Sequence, residues 1–115
     1  YAATMGPKDV GIFVSNSGTT REVMECLHLA AARGGTTIAL TRFDNSPLAQ
    51  AADLCLYTSS PEISHRSGAM SSRIAQMCMV DVLFTAVARR NYRKVETALE
   101  NSYKSCMTHR VEAEN

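Results

Sequence analysis

Apolar and polar positions alternate along the chain in blocks that predict three strands and four helices. Residues 9–15, Asp-Val-Gly-Ile-Phe-Val-Ser, form a short apolar run behind the turn signal Gly6-Pro7-Lys8-Asp9 and predict a buried strand. Residues 36–41, after Gly34-Gly35, predict a second strand, and residues 53–57 a third. The first run is continuous rather than alternating, the pattern of a parallel sheet covered on both faces. Between the first two strands, Val23, Leu27, Ala30 and Ala31 fall at helical spacing within residues 20–33. Gly34 fits the left-handed residue that ends such a helix. Strand, helix, strand then makes a right-handed crossover unit.

Ser46-Pro47 opens a short helix reaching Ala51 or Ala52, because serine caps and proline suits the first helical position. After the third strand, residues 58–67 are a polar loop. A long helix over about 68–89 follows, apolar nearly all round between Ile74 and Ala88. That pattern places it in a core or at a subunit interface, with Met70, Met77 and Met79 as packing groups. Asp81 within it needs a partner if buried. Asn91 breaks the pattern, an amphipathic helix covers about 92–107, and residues 108–115 are a polar tail. No internal repeat is present.

Composition narrows the class. With 115 residues, 45% hydrophobic and 20% charged, the chain reads as globular and as one domain at most. Twelve basic residues against eleven acidic ones leave a net charge of +1, unlike a nucleic-acid-binding domain. Any DNA contact is then expected outside these residues. No unbroken run of 18 apolar residues occurs, so no membrane span is expected; the nearest, 77–88, is interrupted by Asp81. Cys26, Cys55, Cys78 and Cys106 form no CxxC pair and read as reduced, mostly buried thiols of a cytoplasmic protein. His28, His65 and His109 lack the spacing of a zinc site. No metal or cofactor is expected.

Ser15-Asn16-Ser17-Gly18-Thr19-Thr20 lies between a strand end and a helix start. Ligands of parallel α/β sheets bind there, and a helix N-terminus offers N–H groups and partial positive charge to an anion. The stretch holds no lysine or arginine, so dipoles and hydroxyls would carry the binding. That suits a single phosphate. It is neither GxGxxG nor GxxxxGK[ST], which argues against NAD and ATP. A Ser/Thr-rich turn that merely caps a helix is the plain alternative.

Ser-x-Ser-Gly-x-Thr after an apolar strand resembles the phosphosugar-binding motif of the sugar isomerase (SIS) domain. Gly34-Gly35, residues 36–41, Ser46-Pro47-Leu48-Ala49, Ala52-Asp53-Leu54 and Tyr57-Thr58 follow in the family's order. Arg66-Ser67-Gly68-Ala69-Met70-Ser71-Ser72-Arg73-Ile74-Ala75-Gln76, leading to Asp81-Val82-Leu83-Phe84, is similar to RpiR-type bacterial transcriptional regulators in particular. The resemblance spans about residues 4–105.

It implies a three-layer α/β/α sandwich on a parallel sheet. Strands three to five of the family would be present here, and the first part of the domain and a helix-turn-helix domain would lie upstream. Residues 1–107 are then a partial SIS domain, with an unpaired strand edge near 9–15. The implied function is a phosphosugar-sensing, oligomerising effector domain. Its partners would be a phosphorylated sugar, further copies in a homodimer or homotetramer, and DNA only through the upstream domain.

The implied contacts are Ser15, Ser17, Gly18, Thr19 and Thr20, with Ser59, Glu62 and His65 from the later loop. Glu62 would be catalytic only in an aldose–ketose isomerase of the same fold; otherwise it is a loop acid or a sugar hydroxyl acceptor. His65 is a ligand contact or a solvated loop residue. Arg66 and Arg73 reach a phosphate or pair across an interface, Ser67 caps the long helix, and Ser72 faces the sugar. A plain oligomerisation module is a third reading.

Overall fold

The computed structural model describes residues 1–60 and 70–107. The chain divides into two units, Tyr1–Val80 and Asp81–Asn115. The first contains β1 (Val10–Val14), α1 (Arg21–Ala32), β2 (Thr36–Arg42), α2 (Pro47–Ala51) and β3 (Leu54–Thr58), after a short 3-10 turn at Ala2–Thr4. The helix α3 (Met70–Arg90) begins in this unit, and α4 (Tyr92–Met107) lies in the second. Every strand and helix foreseen from the apolar pattern is present among the described residues, with ends agreeing to within two residues where they are described.

The sheet is parallel, in the order β1-β2-β3. Ile12 pairs with Ile38 and Ile38 with Leu54, so the strands are in staggered register across the sheet. One face carries Phe13, Ala39 and Cys55, which pack against Leu27, Val23 and Met24 of α1 and Leu48 and Ala51 of α2. Leu27, Ala39 and Leu48 are completely buried.

Helix ends follow their residues. Gly34 takes φ +82°, and its N–H donates to Ala31 O at 2.9 Å while Gly35 N–H donates to Ala30 O at 3.1 Å. These two hydrogen bonds close α1 in a Schellman motif. Ser46 caps α2 by accepting from Ala49 N–H at 3.4 Å, with Pro47 in the first turn. At the opposite end of the sheet from the loop after β1, Asp53 Oδ2 accepts from both Thr37 N–H and Thr37 Oγ1, each at 2.8 Å. Thr37 Oγ1 accepts in turn from Asp53 N–H at 3.0 Å. Thr37 is 1% exposed, so this clasp satisfies buried polar groups where β2 and β3 begin.

Three expectations need correction. The strand read as buried, β1, lies at the sheet edge with Val10, Ile12 and Val14 59%, 45% and 43% exposed, although Leu40 beside Val14 on the neighbouring strand is 1% exposed. Among the described residues, α1 and α2 pack closely on strands, on the face that carries Phe13, Ala39 and Cys55. A groove of about 550 Å³ runs beside β1, lined by Met5, Val10, Ile12 and Phe13 among others. The core reading of α3 does not hold within the chain: Ile74, Met77, Val82, Phe84 and Val87 are all exposed and its one buried residue is Ser72, which leaves the subunit-interface reading standing. Asp81 is exposed too, so it has no burial penalty to offset. The cysteines are free, but Cys26, Cys78 and Cys106 are exposed rather than buried. By length and composition, α3 also suffices to cross a membrane. That is a statement of length and composition alone, and apolar helices of soluble proteins share it.

In the second unit, Asn91 forms the turn before α4, with Lys94 and Val95 N–H donating to its carbonyl at 3.0 and 3.1 Å. No residue of α4 is buried.

The two Thr37 hydrogen bonds, backbone first, hold the Asp53 carboxyl below its ordinary value. A depressed folded value contributes stability above the unfolded value, about pH 4, and loses it as pH falls through the folded one. Thermal unfolding of the full-length protein between pH 5 and pH 2.5 should therefore show a steeper loss than that of Asp53→Asn. Parallel slopes would contradict the clasp.

Candidate functional site

The 15–20 loop leaves β1 and enters α1 at the C-terminal end of the sheet. Ser15 extends the β1–β2 ladder by donating its N–H to Leu40 O at 3.1 Å and is 7% exposed. Its Oγ shares a 2.8 Å hydrogen bond with Thr20 Oγ1 and accepts from Gly18 N–H at 3.1 Å. Ser17 Oγ accepts from Thr19 Oγ1 at 2.9 Å and from Thr19 N–H at 3.3 Å. Four hydroxyls are thus held as two pairs, Ser15 with Thr20 and Ser17 with Thr19. Gly18 allows the loop its tight bend at φ +64°, a conformation side-chain-bearing residues adopt only at a cost.

Thr20 occupies the N-cap of α1, yet its side chain makes no capping bond. Its hydroxyl is turned to Ser15 instead. The first-turn N–H groups of a helix have no partners within it, so the positive end of the α1 dipole is left for an anion. Arg21 is not drawn into the loop: its Nε meets Glu25 Oε1 at 3.0 Å one turn along, with both side chains well exposed. Such an exposed pair contributes only about 0.3–0.5 kcal/mol. The loop therefore offers hydroxyls and helix N–H groups to a compact anion with no fixed cation in its own six residues.

Of the residues foreseen for the site, Ser15, Ser17, Gly18, Thr19 and Thr20 come together in this loop. Ser59 is exposed just past the end of β3, on the same end of the sheet. It stands two strand spacings from β1, about 10 Å within the sheet. Glu62, His65, Arg66 and Ser67 lie outside the described residues. Arg73 is exposed on α3, and Ser72 is fully buried there. Sequence reasoning missed the residues behind the loop, Thr41 and Ser46, which are 0% and 5% exposed. It also passed over Ser60, whose half-buried side chain holds a hydroxyl with no hydrogen-bond partner. Hydroxyl residues at the C-terminal ends of β2 and β3 are the signal that would have found them.

The class so defined is an α/β domain on a parallel sheet, with a serine- and threonine-rich turn leading into a helix whose N-cap makes no side-chain bond. The chain belongs to the SIS domain family, whose family model matches residues 1–86. It is 46% identical, over 88% of its length, to an uncharacterised HTH-type transcriptional regulator of Caldanaerobacter subterraneus subsp. tengcongensis. It spans about a third of that relative, 36%.

Among solved structures it resembles the Vibrio vulnificus NanR protein complexed with ManNAc-6P, with a TM-score of 0.84 and 25% identity. That match covers 96% of this chain and 42% of NanR. It also resembles the sugar isomerase domain of an RpiR transcription factor from Sphaerobacter thermophilus, with a TM-score of 0.74 and 28% identity. Here 90% of this chain and 55% of the other are covered. The fold is accordingly the α/β/α architecture of the SIS domain on a parallel sheet.

Gly18→Ala tests the loop geometry. A Cβ at this position would overlap Ser46 Oγ and Cβ, in a backbone conformation that itself costs roughly 1–3 kcal/mol for a non-glycine residue. Denaturant unfolding should show a loss of at least that size. A variant as stable as the parent would mean that the loop does not hold this bend.

Proposed function

We propose that the chain is the phosphosugar-sensing, oligomerising effector domain of a bacterial HTH-type transcriptional regulator. Residues 1–107 form the partial SIS domain and residues 108–115 a polar tail. The phosphoryl group sits against Ser15, Ser17 and Thr20, with Thr19 and the backbone around Gly18 as further donors. Ser59, Glu62 and His65 approach the sugar from the loop after β3. The observation that carries this reading is the uncapped α1 N-terminus, whose N-cap hydroxyl is turned into a ring of hydroxyls rather than onto the helix.

Similarity to an HTH-type regulator supports a regulatory role, and the ManNAc-6P of NanR supports a sugar phosphate as the ligand class. Binding alone is asked of the site, so no base or ring-opening acid is needed, and the protein is not an enzyme. Sugar binding acts by favouring one arrangement of subunits over another, which requires different affinity for the two. DNA contact belongs to a separate domain, in keeping with the net charge of +1 here. The protein works in the cytoplasm, where sugar phosphates and DNA meet.

A thermal-shift screen of the full-length protein against hexose, pentose and amino-sugar phosphates, ManNAc-6P among them, tests the proposal. A ligand at 100 times its Kd adds about 2.7 kcal/mol. Ser17→Ala should weaken the binding about tenfold or more, the effect of losing a hydrogen bond to a charged group. No stabilising sugar phosphate, or an unchanged response in Ser17→Ala, would refute the assignment. Robust aldose–ketose turnover abolished in Glu62→Gln would replace the sensor with an isomerase.

A further inference from the structure

The geometry points to Thr41 and Ser46 as positioning residues that aim the backbone donors of the 15–20 loop. This rests on the phosphate-binding reading of that loop and adds residues that do not themselves touch the ligand.

The two carbonyls in the bend of the loop are fixed from behind. Asn16 O accepts from Arg42 N–H at 3.3 Å and from Thr41 Oγ1 at 3.4 Å. Gly18 O accepts from Leu48 N–H at 3.0 Å. In a planar trans peptide, C=O and the following N–H point in opposite directions. Drawing the Asn16 carbonyl toward the end of β2 turns Ser17 N–H away from it. Drawing the Gly18 carbonyl toward α2 turns Thr19 N–H away in the same manner. Thr19 N–H is held meanwhile by a 3.3 Å bond to Ser17 Oγ, which a phosphoryl oxygen can replace.

Ser46 and Thr41 set how deeply this bend sits. A Cβ built on Gly18 meets Ser46 Oγ and Cβ, and lies 3.1 Å from Thr41 Oγ1. Both side chains are almost fully enclosed, and the Ser46 hydroxyl is additionally fixed by Ala49 N–H. The connection between β2 and α2 is therefore a floor of matched height. A shorter contact would let the loop sink, and a bulkier one would lift it and disengage Leu48 N–H from Gly18 O. Either change rotates the donors, and charge-assisted hydrogen bonds weaken steeply with misalignment.

The test uses the full-length protein and inorganic phosphate as the probe, so that it does not depend on which sugar is bound. Thr41→Val removes the hydroxyl at nearly constant volume, and Ser46→Val raises the floor under Gly18. Both should weaken phosphate binding, Thr41→Val about three- to tenfold. Thr41→Ser, which keeps the hydroxyl, should restore the affinity. Thr37→Val, which breaks the clasp with Asp53 at the far end of the sheet, should lower the melting temperature and leave phosphate affinity unchanged. Hydrogen exchange of the Leu48 and Arg42 amides should accelerate in the weakened variants relative to the parent. If the parent binds phosphate and Thr41→Val and Ser46→Val bind it equally well, the positioning role is refuted while the binding reading stands. If the parent binds no phosphate, the binding reading fails and the positioning role with it.

Discussion

The seating of Gly18 on the connection between β2 and α2 is the constraint on which the site depends. Gly18 is buried at φ +64°, without room for a side chain above Ser46 and Thr41. Its carbonyl is tied to Leu48 N–H. From that contact the rest follows. The loop is pulled toward β2, Ser15 and Thr20 come close enough to share a hydrogen bond, and the α1 N-terminus loses its own cap. A helix end without a cap is a modest cost in isolation, on the order of 1 kcal/mol. Here it leaves the helix N–H groups and their partial charge open, as the proposed phosphate binding requires.

The scaffold beneath this loop is small. Leu27, Ala30, Ala39, Leu40 and Leu48 are its buried apolar residues, and Leu27, Ala39 and Leu48 form the cluster between α1, α2 and one face of the sheet. Parallel strands are ordinarily covered on both faces, yet the edge strand β1 keeps Val10, Ile12 and Val14 open on the other. The loop nevertheless sits on the well-packed side, between the two helices that build the core. The Thr37–Asp53 clasp fixes the far end of β2 and β3. The site is thus braced by the better-packed half of the chain, as a binding loop on rigid elements requires.

Much of this was legible in the sequence because the relevant signals are local. Gly34-Gly35 marks the end of α1, Ser46-Pro47 the start of α2, and the six-residue hydroxyl stretch lies at a strand-to-helix junction. Side chains adjacent in sequence and joined by a tight turn must meet in space, so Ser15 to Thr20 could be assembled without coordinates. Thr41 and Ser46 could not, since they reach the loop through tertiary contacts with residues more than 20 positions away along the chain. The apolar character of α3 was equally plain, but hydrophobicity reports a tendency to be covered and says nothing about what covers it. The same reasoning failed for Cys26, Cys78 and Cys106, which sit in or near apolar patterns and are exposed. The regulatory reading drew on the length of the Arg66–Gln76 resemblance as well as on the loop.

The most direct test of the central claim is a crystal structure of the full-length protein grown with the sugar phosphate that stabilises it most. The account predicts phosphoryl oxygens within hydrogen-bond distance of the Ser15, Ser17 and Thr20 hydroxyls and of Thr19 N–H, at the N-terminus of α1. A phosphoryl group bound elsewhere, with the 15–20 loop empty and its hydroxyl pairs undisturbed, would contradict it.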